Sequence, residues 1–528
     1  MSRPDNSHVS PLTPGDLDPG SNVARGTLWN LLGTGLPILL ALVTFPVLIG
    51  AIGTARFGVL TLAWVVLGYF GLFDLGLGRA TTKFLAEAFG QNRVEEARAL
   101  LWTSLGLNCL LGVVGGITLA ALSPLLVKQT LNIDTVLQPE ALRAFYLLAL
   151  SVPIVTLATA ARGVLEAKQS FGLLNALQVP ASTLTFLMPL AVLPFSNNLV
   201  WLIGALIVSR LIGAAAFLVA SLWIVQSPFA GPFLARKKLG RLFSYGGWLT
   251  VTNVVGPLMV YADRFVIGSL SSMSAVAYYA TPYEAITRLW ILPQSLTRTI
   301  FPIFAAGTDR RRRASIYNNA LKYLALLLAP IVVTVVVFAP DLLRLWIGEE
   351  FAQRSSLVLQ ILAVGVLINS LALIPYTLIQ GLGRPDITAK FHLLEAPFYL
   401  LMLWYGVRHF GIVGAATTWT IRVSADGMLL TFYVRLSGWL GTSNENVRLP
   451  QSLALVAGLV CCGWLLSTLS DGAGIKLIAW TLLFIGASYG TWRGLLLQHE
   501  RQRFQRIIAE SPARLVRIFS KNSQQGRP

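Results

Sequence analysis

Two ion-pair spacings stand inside otherwise apolar sequence. Glu284 and Arg288 are four residues apart, and so are Arg422 and Asp426. On a helix that spacing sets both side chains on one face, within reach of each other. Arg210 lies in a third apolar run with no acid within one turn. Asp74 and Arg79 flank the glycines of Phe73-Asp-Leu-Gly-Leu-Gly-Arg79. Their i, i+5 spacing splays them by about 140° around a helix. Arginine grips an anion with a planar fork of donors. Carboxylates and histidine in such surroundings can carry protons, so His392 and Glu395, which share a helical face, could form a relay. Arg79, Arg210, Arg288 and Arg422 are therefore candidates to bind an anionic substrate. Asp74, Glu284, Glu395 and Asp426 are candidates for ion coupling or gating. A plainer reading stands beside each: a self-neutralised pair that holds helices together, or, for His392, solvation near an interface. Asp263 and Arg264 lie toward the end of another apolar run, where interfacial water is expected to reach them.

The surroundings give these charges their weight. Of 528 residues, 55% are hydrophobic and 12% charged, and the mean hydropathy is +0.67. A soluble domain carries about 25% charged residues. The deficit calls for a nonaqueous solvent, in which a buried charge is costly and must face a cavity or a partner. A spanning helix needs about 20 apolar residues. Such stretches recur near 23–50, 57–85, 97–124, 141–165, 171–195, 199–225, 243–268, 276–305, 317–340, 355–381, 387–410, 412–436, 451–469 and 474–495. The chain is thus predicted to be an all-α integral membrane protein of about fourteen transmembrane helices. The first run is too long for the core of a signal peptide and is read as a retained helix.

Charge bias gives the orientation. With the N-terminus inside, seven of the 41 Lys and Arg residues fall in outer connections: Arg56, Lys128, Arg143, Arg344, Arg354, Arg408 and Lys476. Five lie within spans, and the remaining 29 fall inside, including Arg236-Lys237-Lys238 and Arg310 to Arg313. Basic residues mark cytoplasmic loops, so both termini are predicted to be cytoplasmic. This is also the use of the net charge of +18. Nucleic-acid binding is a poor rival, since no reading module is present. Cys109, Cys461 and Cys462 sit in apolar runs and read as small apolar side chains. No metal cluster, nucleophile elbow, phosphate-cradling loop or ATPase motif is seen, so no cofactor or metal is expected.

A weak internal repeat organises the helices. Phe84, Gly90 and Arg93 recur as Phe301, Gly307 and Arg310 with an offset of 217. Val164-Leu-Glu-Ala and Leu378-Ile-Gln-Gly are offset by 214. Six helices separate each pair, so the repeat would be parallel. It predicts a six-helix lobe over 23–226, a second over 241–440 and an accessory pair over 451–495. Residues 1–22, rich in Pro, Asp, Ser and Gly, read as a disordered cytoplasmic tail. Residues 498–528 interleave Phe504, Ile507 and Leu515 with Arg503, Arg506 and Arg514. They read as a basic amphipathic tail on anionic lipid.

Phe57-Gly-Val-Leu-Thr-Leu-Ala-Trp-Val-Val-Leu-Gly-Tyr-Phe-Gly-Leu-Phe-Asp-Leu-Gly-Leu-Gly-Arg-Ala80 resembles the second helix of bacterial Wzx-type polysaccharide flippases. These belong to the multidrug/oligosaccharidyl-lipid/polysaccharide exporter superfamily. Tyr261-Ala-Asp-Arg-Phe-Val-Ile-Gly268 with Ala277-Tyr-Tyr-Ala280 is similar to the family's seventh-to-eighth helix segment. The likeness covers roughly residues 23–440. It implies two six-helix lobes around a central cavity, with alternating access between the faces of the bacterial inner membrane. The implied substrate is an undecaprenyl-diphosphate-linked oligosaccharide, carried to the periplasmic leaflet for surface polysaccharide synthesis. Polysaccharide polymerase and export proteins are the implied partners. Peptidoglycan-precursor flippases of the superfamily have a cavity arginine in a context like Tyr283-Glu-Ala-Ile-Thr-Arg288-Leu, which implies that role for Arg288. Their basic first helix has no counterpart here beyond Arg25 at the inner edge of the first span, and their last two helices form a groove for the lipid tail.

Two other functions remain to be weighed. A multidrug/cation antiporter of the same superfamily needs acids for its cations, yet the run 23–50 contains none and the buried bases are prominent. A membrane-embedded polysaccharide polymerase or ligase needs a sizeable outer loop with catalytic groups. The longest outer connections here, near 125–140 and 341–354, are short.

Overall fold

The computed structural model describes residues 19–72, 77–225, 256, 258–306, 309–441, 448–469, 473–495, 498 and 501–502. Asp74, the Arg79 side chain, the first 18 residues, the loop bearing Arg236-Lys237-Lys238 and nearly all of the basic tail lie outside them.

Every regular element among the described residues is helical. The order is α1 Pro19–Leu72, α2 Leu77–Gly90, α3 Val94–Leu125, α4 Gln138–Ala167, α5 Phe171–Val192 and α6 Leu199–Val225. Then come α7 over 258–270, α8 Met273–Thr287, α9 Ile291–Ala305, α10 Arg310–Trp346, α11 Glu349–Gly381, α12 Pro385–Leu436, α13 Leu449–Leu469 and α14 Ala473–Gly490. Among the described residues nine helices are long and apolar enough to cross a membrane by themselves. Other predicted crossings are joined end to end or carry more charge, so the figure of fourteen is not established by helix length alone.

Local chemistry sets the helix ends. Ser272 caps α8 by accepting from the Ala275 amide at 3.1 Å, and Asp309 caps α10 by accepting from Arg311 at 3.2 Å. Both fill an orphan donor of the first turn. The two longest helices are each two predicted spans run together across one glycine. Gly53 takes φ 78° within α1, and Gly411 takes φ 57° within α12. Side chains with a Cβ rarely adopt these conformations. The halves of α12 then fold back closely: a Cβ on Gly414 would run into the Gly406 carbonyl. A third break has another cause. Pro293 has no amide to bond the Leu289 carbonyl and its ring crowds that group. The chain passes through a 3₁₀ turn at Arg288–Trp290 between α8 and α9.

Two compact units divide the chain. The first comprises Met1–Ala51, Gly76–Ala121 and Arg143–Gly246. Gly112 and Gly116 let α3 lie against Pro153 and Ala149 of α4. A buried polar thread crosses this contact. Thr81 and Ser104 are 2.7 Å apart, the Asn108 amide donates to the Ser104 carbonyl, and Thr156 donates to the Asn108 carbonyl at 2.9 Å. In hydrocarbon such groups must find partners inside the bundle. The α6 helix leaves Trp201, Leu211, Val219 and Trp223 exposed, a surface that lipid rather than water can solvate.

The second unit comprises Ile52–Leu75, Leu122–Leu142 and Gly247–Pro528. Here α11 packs against both α10 and α12, and α13 against α10. Trp480 of α14 donates to Thr334 of α10 at 3.1 Å. The segment after α3 is tied to the α7–α8 turn: the Asn132 amide donates to the Gly268 carbonyl at 2.8 Å, and its side chain to the Ser271 carbonyl at 2.5 Å. Arg56 meets Glu140 through two nitrogens at 3.1–3.2 Å.

Candidate functional site

The charges of the second unit form two groups, one on α7 and α8 and one on α12. Arg264 anchors the first. It was expected to reach interfacial water, but Asp263 and Arg264 are both fully buried. The helix runs on to residue 270, and aromatic side chains cover the pair. Arg264 lies 3.2 Å from Asp263 Oδ1 and 2.9 Å from Glu284 Oε1. Its guanidinium carbon sits 4.5 Å over the Tyr283 ring and 5.5 Å over Tyr261. The second oxygen of Asp263 accepts from the Tyr279 hydroxyl at 2.7 Å. A buried charge is tolerable when paired and hydrogen-bonded in this way.

Glu284 joins this anchor to the predicted substrate arginine. Its Oε2 accepts from Arg288 Nη2 at 3.2 Å, so the i, i+4 contact is formed. One carboxylate therefore bridges two guanidinium groups, one fully buried and one about a third exposed. Arg288 begins the 3₁₀ turn. Among the described residues it makes that one side-chain hydrogen bond, which leaves donors of its fork for another acceptor.

The second group differs. Arg422 makes no ion pair with Asp426, contrary to their spacing. Its Nη1 lies 3.7 Å from the sulfur of Met259, its guanidinium sits 5.4 Å over the Tyr399 ring, and its Nε is buried without a partner. The pull of two aromatic and sulfur contacts on α7 and on the first half of α12 turns the side chain away. Asp426 instead faces His392 across the α12 hairpin at 4.0 Å. Glu395 is buried and meets Asp426 carboxyl to carboxyl, with no N–H or O–H donor on its oxygens among the described residues. His392 stacks on Tyr376. The predicted acids Glu395 and Asp426 thus share the hairpin with His392, while Glu284 belongs to the other group. The two groups meet through aromatics: Tyr283 stacks on Tyr279 and touches Trp419 edge-on at 5.6 Å, and Trp290 lies 6.4 Å from Trp419.

Measured down α12 from Gly411 at 1.5 Å per residue, Arg422 is about 16 Å from the turn and Asp426 about 22 Å. Both are far from the helix end. Among the described residues no three His, Cys, Asp or Glu side chains converge as a metal site. In the first unit, Arg210 of α6 is half-buried, with its Nε buried and unpartnered. Asp74 and the Arg79 side chain lie outside the described residues. The tyrosines and Trp419 were not singled out in the sequence. The repeat of Tyr at 279 and 283, one turn apart and directly before Glu284, was a usable signal.

Comparison with known proteins gives the following likenesses. Residues 47–356 match the family described as polysaccharide biosynthesis protein. A protein of Shigella flexneri named "Putative O-antigen transporter" is 31% identical over 417 residues, which cover 79% of this chain and 98% of that one. Among solved structures, the lipid II flippase MurJ in its inward closed conformation superposes with a TM-score of 0.68 at 13% identity, covering 89% of this chain and 99% of that one. An inward-facing multidrug resistance MATE family transporter of the MOP superfamily gives 0.65 at 15% identity, covering 77% and 98%. At these identities the structural likeness concerns the fold, an all-helical two-lobe transporter fold as expected from the sequence.

Proposed function

The chain belongs to the polysaccharide biosynthesis protein family, and we propose that it is a flippase for lipid-linked oligosaccharide in the bacterial inner membrane. It is a transporter rather than an enzyme, as its relatives are named for transport. The substrate proposed is an undecaprenyl-diphosphate-linked oligosaccharide, moved by alternating access from the cytoplasmic to the periplasmic leaflet, with both termini cytoplasmic. The observation that carries this reading is Arg288, held at a helix break by one carboxylate and still offering donors.

The chemistry is coherent. A diphosphate loses its hydration on entering hydrocarbon, and guanidinium forks replace it. Arg288 is assigned to the diphosphate, with Arg422, Arg210 and Arg79 as further cations for the anionic head group. Ion coupling is assigned to acids among Asp74, Glu284, Glu395 and Asp426. Glu395 and Asp426 are the strongest of these, because two buried carboxyls lie together beside His392 on the α12 hairpin. The basic tail is assigned to anionic lipid, and the surface-glycan polymerase and export proteins to the steps that follow.

Deletion of the gene tests the function. Completed lipid-linked oligosaccharide trapped on the cytoplasmic leaflet, with surface polysaccharide lost, is expected. Normal surface glycan with altered sensitivity to cationic drugs would overturn it in favour of drug export. Lipid-linked units that reach the periplasmic face and stay unpolymerised would point to an enzyme. Arg288→Ala should abolish export while the protein stays in the membrane, and Arg288→Lys should restore it only in part, since lysine lacks the planar fork. Full export by the alanine variant would remove Arg288 from the site.

A further inference from the structure

A second polar site lies away from both charge groups, at the end of the second unit that carries Gly53, the α7–α8 turn and Gly411. The charge bias of the loops assigns this end to the periplasm. A cavity of about 510 Å³ opens there, lined by Thr54, Ser271, Ser274, Tyr278, Glu350 and Arg354 among others. Its volume is that of a small-ligand pocket.

The wall is made of hydroxyls around one carboxylate and one guanidinium. Tyr278 donates a short hydrogen bond to Glu350. Arg354 Nε is 3.8 Å from Glu350, and its guanidinium carbon is 5.3 Å over the Tyr278 ring. Thr54 donates to Ser274 at 3.0 Å. An anion here would meet the Glu350 carboxylate, and a cation would meet Arg354. An apolar ligand would strand the hydroxyls without water. A ring with neighbouring hydroxyls suits all of them. It donates to Glu350, accepts from Arg354, and exchanges bonds in either sense with Ser and Thr.

We propose that this cavity is a sugar-binding subsite that takes a neutral residue of the substrate's glycan at the periplasmic face. The proposal rests on the flippase reading. Along the helix, Tyr278 is ten residues from Arg288, about 15 Å at 1.5 Å per residue. A glycan of a few sugars on a diphosphate at Arg288 has that reach. The subsite would hold the glycan while the head group leaves the arginines, so that release proceeds outward.

The test uses the full-length protein in lipid nanodiscs. The probe is the free oligosaccharide released by mild acid from lipid-linked oligosaccharide of the deletion strain. Calorimetry and saturation-transfer NMR should detect its binding, Glu350→Gln should weaken it about tenfold by removing a charged acceptor, and Ser274→Ala should weaken it less. Thermal unfolding of both variants should match the wild type, as Glu350 is solvent-exposed. Inorganic diphosphate should not compete. Absent binding, binding indifferent to both substitutions, or competition by diphosphate would overturn the subsite. Absence of trapped lipid-linked oligosaccharide in the deletion strain would overturn the flippase reading and the subsite with it.

Discussion

Arg264 and Arg422 are arginines of the same compact unit, and their ion pairing is opposite. Arg264 is fully buried, ion-paired to Asp263 and Glu284, and covered by two tyrosine rings. Arg422 has a sulfur atom and one ring and makes no ion pair among the described residues, while the Nε of each arginine is buried without a hydrogen-bond partner. A buried cation neutralised by two carboxylates inside the protein reads as scaffold. A cation without a carboxylate partner is, under the proposed function, the one available to an anionic ligand. Burial alone would rank the two the other way, since Arg264 is the deeper residue. Ion pairing, rather than depth, separates the two arginines.

The sharpest way to break this contrast is to remove the scaffold cation. Arg264→Ala strands the buried Asp263 and shifts Glu284 onto Arg288 alone. It should cost about 3–5 kcal/mol of stability, read as a large drop in the thermal unfolding midpoint in detergent. A normal midpoint would show that Arg264 is not structural. Arg422→Met should do the reverse. Stability should be nearly unchanged, because the side chain forms no ion pair. Export should fall roughly thirty- to a hundredfold, the equivalent of about 2–3 kcal/mol of lost contact with a charged ligand. Unfolding without loss of export in that variant would invert the assignment. The smallest effect is that of Tyr279→Phe, which removes one donor from Asp263. It should cost about 1.5 kcal/mol of stability and leave export near normal, and a strong export defect would draw Tyr279 into the site.

Much of this was legible in the sequence, for definite physical reasons. Apolar runs and basic loops report the membrane solvent directly, so the helical segments follow from local composition, while the family likeness rests on the motifs at 57–80 and 261–280. The Glu284–Arg288 contact was legible because both ends lie on one helix. The Arg422–Asp426 contact was equally spaced and is absent. Met259 and Tyr399, 163 and 23 residues away in the chain, compete for the same guanidinium. Helical spacing says which contacts are allowed, and neighbours from other helices decide which are made. Asp263 and Arg264 were misplaced for a related reason. Their distance from the helix end suggested water, whereas Tyr261, Tyr279 and Tyr283 arrive from the sequence around them only after α7 and α8 pair. The single-glycine reversals at Gly53 and Gly411 could not be told from the many other glycines until their positive φ values were known.

The 3₁₀ turn at Arg288–Trp290 has a mechanical side. A rod with one weak joint flexes there, and the points farthest from the joint travel most. Pro293 places that joint beside the arginine assigned to the head group. Were α8 and α9 to tilt against each other, their tips would sweep through several ångströms while Arg288, at the fulcrum, stayed almost still. A carrier with its grip on the axle can swing the surrounding walls from one side to the other and never loosen its hold on the cargo.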